Sequence, residues 1–220
     1  GKDRALVISA TGTGKTFLSA FDVKQYNPER MLFIVHREQI LKKSLIDFQK
    51  VLGFNPSEGH IYHSGDDLTG KKYIFATIQT LSREDNLKAF SKDFFDYILI
   101  DEVHKAGADS YKKVMGHFTP NFYLGMTATP ERTDGQNIYE IFDYNIAYRL
   151  QDALENDMLC PFVYFGVKDI EIDGQLIDEK SNISNLTSDE RVKHILNKID
   201  FYGVCNNQVR GLIFCSSKAE

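Results

Sequence analysis

Continuous apolar runs separated by turn residues, rather than strict alternation, set the pattern of the first two thirds of the chain. Residues 5–9 and 31–35 are short apolar runs of strand length, the mark of strands buried on both faces of a parallel sheet. Between them, residues 16–26 suit a crossover helix that stops near Asn27-Pro28, since proline cannot continue a helix and restricts the residue before it. From 37 to 52, Ile40, Leu41, Ser44, Leu45, Phe48, Val51 and Leu52 recur at helical spacing, and Gly53 supplies the stop. Further strands are predicted at 60–63, 73–76, 97–100 and 123–126. This β/α alternation demands a parallel sheet covered by helices.

Beyond Pro130 the pattern changes. Residues 131–160 read as a polar turn followed by helical and irregular segments leaving the first domain, and 161–167 as a new strand. Residues 169–188 are rich in Asp, Asn, Ser and Gly and predict a loop or insertion. A helix then opens at Thr187 with Glu190 three residues on, a capping box, and carries Val192, Ile195, Leu196 and Ile199 on one face. The apolar run Leu212-Ile213-Phe214-Cys215 predicts a last strand, with Cys215 a small buried residue at its end.

The chain of 220 residues exceeds one typical domain, and 42% hydrophobic content is enough for a packed core. No run approaches the roughly 18–20 apolar residues of a membrane span, and no signal-peptide pattern is present, so a cytoplasmic protein with no membrane partner is expected. Cys160, Cys205 and Cys215 are odd in number and unpaired in spacing, which supports neither a disulfide framework nor a zinc site. A net charge of −5 counts against strong nonspecific binding to phosphate backbones but permits a local track.

Chemistry enters with Ala10-Thr11-Gly12-Thr13-Gly14-Lys15-Thr16, directly after the first strand. Thr11, Gly12, Thr13 and Gly14 would let backbone N–H groups close around a β-phosphate at a helix N-terminus. Lys15 would contact the β/γ oxygens of ATP, and the Thr16 hydroxyl would ligate Mg²⁺. Ser9 stands where such loops commonly begin with glycine. The plainer reading is a glycine-rich turn joining strand to helix. Asp101-Glu102-Val103-His104 follows the strand at 97–100, where ligands bind in open α/β sheets. Asp101 is placed to hold Mg²⁺ and Glu102 to polarise an attacking water; the alternative is two acids capping a helix.

A third strand ends in Thr127-Ala128-Thr129-Pro130, beginning 26 residues after Asp101. The order of these three segments resembles motifs I, II and III of superfamily 2 helicases and translocases. Val35-His36-Arg37-Glu38-Gln39-Ile40-Leu41 and Ala76-Thr77-Ile78-Gln79-Thr80-Leu81 resemble motifs Ia and Ib, the nucleic-acid contacts of that family. Finer details resemble its restriction-enzyme branch, the Res-subunit-like bacterial DEAD/DEAH-box helicases. These are Val35-His36-Arg37-Glu38, Thr129-Pro130-Glu131-Arg132-Thr133-Asp134-Gly135 and Arg210-Gly211-Leu212-Ile213-Phe214-Cys215, which look like bacterial proteins whose motor follows a phospholipase D-like nuclease domain.

The resemblance implies a RecA-like P-loop NTPase domain over residues 1–150, truncated at its N-terminus, a linker at 151–160, and an incomplete second RecA-like domain over 161–220. It implies Lys15, Asp101, Glu102 and His104 in catalysis, with ATP and Mg²⁺ as cofactors. His36, Arg37, Thr77, Gln79 and Thr80 would contact nucleic acid, DNA in preference to RNA, and Thr127 and Thr129 would couple nucleotide state to that track. Residue by residue, simpler roles stay open: a histidine bonded to a carbonyl for His104, turn satisfaction for the threonines, solvation for Arg37, and core or capping roles for His36 and Gln79. The implied activity is an ATP-dependent motor that moves along or remodels duplex DNA, in restriction or defence. The remainder of the polypeptide would be its partner, and residues 1–220 alone would be inactive. A nucleotide-gated switch or assembly ATPase without nucleic-acid activity is the alternative.

Overall fold

The computed structural model describes residues 3–105, 109–129, 138–167, 171–172, 175–176, 181, 183–203 and 211–215. Pro130, residues 131–135, Cys205, Arg210, Ser216 and Ser217 lie outside these. The chain divides into two compact units, 1–161 and 162–220.

The first unit is built on seven strands: β1 (Arg4–Ser9), β2 (Met31–Val35), β3 (Gly59–Ile61), β4 (Tyr73–Thr77), β5 (Tyr97–Ile100), β6 (Phe122–Thr127) and β7 (Tyr144–Tyr148). They pair in the order β3-β4-β2-β5-β6-β1-β7, and every pairing is parallel. Parallel strands require crossovers, which are supplied by α1 (Lys15–Tyr26), α2 (Glu38–Leu52), α3 (Ile78–Leu81), α4 (Glu84–Lys88) and α5 (Asp109–His117). The elements predicted before residue 127 are present with ends shifted by a residue or two. Gly53 ends α2 at φ 71°, donating its N–H to Gln49 O, as a left-handed C-cap requires.

Both faces of the sheet are buried, which is why its strands read as unbroken apolar runs. Met31, Phe33, Val35, Phe75, Tyr97 and Leu99 face Ala20, Val23, Leu41 and Phe48 of α1 and α2. The alternate residues Leu32, Ile34, Ile74, Ile98 and Ile100 face Leu81, Leu87, Tyr111 and Val114 of the other helices. Tyr97 of β5 also donates its hydroxyl to Asp22 Oδ2 of α1 at 2.5 Å, tying α1 to the sheet interior.

Past β6 the structure corrects the sequence. Residues 131–160 were expected to leave the first domain, yet β7 joins its sheet beside β1, with Ala5 opposite Tyr144 and Val7 opposite Ile146. It is an edge strand whose residues are largely exposed, so it lacks the apolar run that marked its buried neighbours. A helix, α6 (Leu150–Glu155), follows it. The turn leading into β7 is anchored by Phe142, which is buried against Gly125 of β6.

In the second unit, residues 161–167 and 211–215 pair with no strand among the described residues. Leu212, Ile213 and Phe214 are exposed, and so is Cys215, against the expectation of a buried strand end. The stretch expected to be loop holds a two-residue antiparallel pair, β8 (Glu171–Ile172) with β9 (Gln175–Leu176), and a short helix, α7 (Ile183–Leu186). The last helix, α8 (Asp189–Tyr202), is capped by Ser188, whose Oγ accepts from Arg191 N at 3.3 Å, one residue later than the predicted Thr187 cap.

The close approach at Gly125 is testable. A Cβ built there would stand 2.8 Å from Phe142 Cε1, and the buried ring has little freedom to yield. Gly125→Ala should lower unfolding free energy by about 1–3 kcal/mol in denaturant titration, and the paired change Gly125→Ala with Phe142→Leu should recover part of that loss.

Candidate functional site

All seven strands run the same way, so their carboxyl ends share one edge, and the segments singled out by sequence emerge along it. The phosphate-loop candidate leaves β1, Thr127 and Thr129 leave β6, Asp101 and Glu102 leave β5, His36 and Arg37 leave β2, and Thr77, Gln79 and Thr80 leave β4. Strands are about 4.8 Å apart. The loop and Asp101, two strands removed, are thus within roughly 10 Å, and the β4 residues lie roughly 19 Å from the loop.

The loop needs conformations that favour glycine: φ is 90° at Gly12 and 84° at Gly14. Thr13 closes it by donating its hydroxyl to Ala10 O at 2.7 Å, and the side chain of Leu159 packs over Gly12. Helix α1 starts at Lys15 with Gly14 as N-cap, no side-chain cap and no acid in its first turn. Its N-terminal amides and partial positive charge are therefore left for an anion. Lys15 Nζ folds back over the loop, donating to Ser9 O at 2.8 Å and Ala10 O at 3.0 Å. Burial holds its ammonium below the ordinary lysine value, against the opposing pull of Asp101.

Asp101 terminates β5 and donates its own N–H to Ile34 O at 2.9 Å. Burial pushes its carboxyl above the ordinary carboxylate value. The hydrogen bond from Glu102 N–H (2.9 Å) opposes that rise, the Glu102 charge adds to it, and Lys15 and His104 work against it. Burial thus disfavours the charged form of both Lys15 and Asp101, and a metal–polyphosphate between them would favour it. Among the described residues no group of three or more His, Cys, Asp or Glu could hold a metal. Mg²⁺ fits this site as it fits phosphate sites generally, on one carboxylate and one hydroxyl, Asp101 and Thr16, completed by phosphate oxygens and water.

Glu102 has φ 53°, a left-handed conformation unusual for a residue with a side chain. Two residues on, His104 Nδ1 lies 2.9 Å from Thr127 Oγ1. The Thr127 hydroxyl donates to Thr129 O at 2.7 Å and accepts from Thr129 N at 3.2 Å. Its single proton is committed, so His104 must be the donor and carries a proton on Nδ1. Thr127, 1% exposed, therefore connects the β5 and β6 loops directly; Thr129 joins through its backbone.

At the other end, Gln79 Nε2 donates to His36 Nδ1 at 3.0 Å, linking the β2 and β4 loops. These two side chains, expected to contact nucleic acid with core or capping roles left open, bond to each other. Thr77 caps α3: its Oγ1 accepts from Thr80 N at 3.1 Å and lies 2.9 Å from Thr80 Oγ1, which uses part of the capacity of both hydroxyls. Arg37 is exposed at the start of α2.

Sequence reasoning missed the support from β7, where Tyr148 O accepts from Ala10 N at 3.2 Å and steadies the loop from the side opposite β6. It also missed Leu159 and Tyr111. An aromatic at 144 and 148 with apolar Ile146 between them was the available period-two signal for β7.

Residues 1–132 match the family described as type III restriction enzyme, res subunit. The chain is similar to the type I restriction enzyme EcoAI endonuclease subunit of Escherichia coli, 29% identical over 251 residues, 98% of this chain and 30% of that subunit. It is similar also to the DNA 3'-5' translocase XPB2 of Sulfurisphaera tokodaii, 30% identical over 148 residues, 66% of this chain and 32% of the relative. The chain thus spans about a third of the length of these curated relatives. Two solved structures share its fold. The Hef helicase domain of Pyrococcus furiosus gives a TM-score of 0.56 at 18% identity, covering 70% of this chain and 37% of that one. The UvsW helicase of bacteriophage T4 gives 0.56 at 18% identity, covering 66% and 54%. The seven-stranded unit has the RecA-like fold of these two structures.

Thr127→Val keeps the side-chain shape and removes the shared oxygen, leaving His104 Nδ1 and the Thr129 backbone without it. Stability should fall by about 1–3 kcal/mol. Ring ¹⁵N shifts of His104 should report the Nδ1–H form in the parent and a move toward Nε2–H in the variant; an identical tautomer in both would mean the bond does not hold the ring.

Proposed function

Because the chain belongs to the type III restriction enzyme res subunit family, matched over residues 1–132, we propose that its seven-stranded unit hydrolyses ATP to drive movement along DNA. Membership places it among superfamily 2 helicase-like, ATP-dependent motors. The finer reading, a DNA translocase serving restriction, draws on the names of two relatives, a restriction endonuclease subunit and a DNA translocase. Residues 1–150 form its first motor domain, 151–160 a linker, and 161–220 the opening of the second.

The observation that carries this reading is the hydrogen bond between His104 and Thr127, because it joins the acid pair to the strand lying between β5 and the phosphate loop. Bound ATP–Mg²⁺ supplies the γ-phosphoryl group and the metal charge that offsets its negative oxygens. Lys15 would exchange its two carbonyl partners for β/γ oxygens, and the Gly12 to Thr16 amides would bind the β-phosphate. Asp101 and Thr16 would hold the cation, and Glu102 would accept a proton from the attacking water. His104, Thr127 and Thr129 relay the change of state across the edge, and His36, Arg37, Thr77, Gln79 and Thr80 meet the DNA backbone.

Lys15→Ala should weaken ATP–Mg²⁺ binding by at least about tenfold, the worth of one charge-assisted contact, measured by calorimetric titration of folded protein. In the complete native polypeptide, Glu102→Gln should still bind ATP but hydrolyse it on the order of a hundredfold more slowly in single turnover. Hydrolysis by the parent should rise with added DNA; a rate indifferent to DNA and RNA would favour a nucleotide-gated switch over a motor.

A further inference from the structure

Tyr111 of α5 carries a polar atom that the fold leaves without a use. Its side chain is 1% exposed, and its hydroxyl makes no hydrogen bond among the described residues. Three other buried tyrosines are partnered: Tyr97 donates to Asp22, Tyr123 to Phe118 O and Tyr62 to Asn86. Burying an unsatisfied hydroxyl is unfavourable, and phenylalanine would fill the same space without that cost.

Its surroundings point to the partner. The Tyr111 ring belongs to the cluster that contains Ile100 and Val103, the buried residues bracketing Asp101 and Glu102. Burial first, then the charge of Glu102, then that of Asp101, hold the phenol above its ordinary pKa. Toward a carboxylate, which offers only acceptor oxygens, the phenolic hydroxyl acts as the donor. Glu102, whose charge reaches it most strongly, is also the residue of the edge held at φ 53°. A left-handed residue with a side chain is strained, and such strain gathers where a local rearrangement is part of function.

We propose that Tyr111 is a positioning residue for Glu102, donating its phenolic hydrogen to the Glu102 carboxylate when the nucleotide site is filled. The bond leaves one carboxylate oxygen turned to the attacking water and satisfies the orphaned hydroxyl at the same moment. No proton is transferred to or from the phenol. The inference rests on the assignment of Glu102 as the group that accepts the proton of water.

The test uses the complete native polypeptide with saturating Mg²⁺ and DNA, comparing the parent, Tyr111→Phe, Glu102→Gln and the double variant. Tyr111→Phe should lower kcat roughly tenfold or more, the worth of a hydrogen bond to a charged group, with KM for ATP unchanged. Its melting temperature should be equal to or above that of the parent, since the lost hydroxyl has no partner in the nucleotide-free fold. In the Glu102→Gln background the same change should cost nothing further. A Tyr111→Phe enzyme with kcat within twofold of the parent, beside a Glu102→Gln enzyme that is nearly inactive, overturns this inference alone. So does a loss of kcat that comes with a lowered melting temperature and a raised KM, which marks a packing role. Near-normal hydrolysis by Glu102→Gln removes the base assignment itself, and the inference with it.

Discussion

The position of β6 between β1 and β5 constrains everything at the candidate site. Parallel pairing sends all carboxyl ends to one edge, and the insertion of a single strand between the loop-bearing strand and the acid-bearing strand sets the gap that a polyphosphate and its metal must bridge. Were β1 and β5 neighbours, the gap would be about 4.8 Å, and the intervening threonines would have no place. With β6 inserted, Thr127 emerges between the two and reaches His104. The same strand carries Gly125, whose missing side chain admits Phe142 and so lets the chain return to pair β7 with β1. One strand therefore spaces the site, couples its loops and permits the flank that supports the phosphate loop.

The interior and the edge obey different rules. Inside, apolar side chains cover both faces and backbone groups are paired in ladders, so the strands are rigid. At the edge, Gly12, Gly14 and Glu102 have positive φ, and of these Glu102 alone carries a side chain. Lys15 and Asp101 are partly removed from water, each shifted by burial in the direction that disfavours its charge. Such an edge stores unfavourable terms that a ligand of opposite charge can remove, which is how a binding site differs from a surface that is merely polar.

Much of this was legible in the sequence because the relevant signals are local. A strand buried on both faces is a run of apolar residues, a phosphate loop is glycines at fixed spacing before a Lys-Thr pair, and an acid pair after an apolar run needs only six consecutive residues. What failed was non-local. β7 is exposed at the edge, so its residues carry no burial pattern, and only pairing with β1 makes them a strand. Residues 161–167 and 211–215 have strand-like composition, but composition cannot supply the neighbour that a ladder needs. The His36–Gln79 bond joins residues 43 apart in sequence, and nothing local to either residue signals the other. Tyr111 was invisible for a different reason: a buried tyrosine reads as core until every possible partner has been placed in space.

The rigidity of the strands also limits how a change at one end of the edge can be felt at the other. Asp101 N–H is bonded to Ile34 O, so the end of β5 is fixed to the end of β2, and His36 follows only two residues later. The strands between the loop and the β4 residues cannot slide without breaking buried ladders, and local opening of such a core is rare. Rearrangement costs least in the segments beyond the strand ends, where the His104–Thr127 and Gln79–His36 hydrogen bonds each join two loops. Each bond links segments that follow different strands, so breaking or remaking it changes how two loops sit while the buried ladders beneath stay intact.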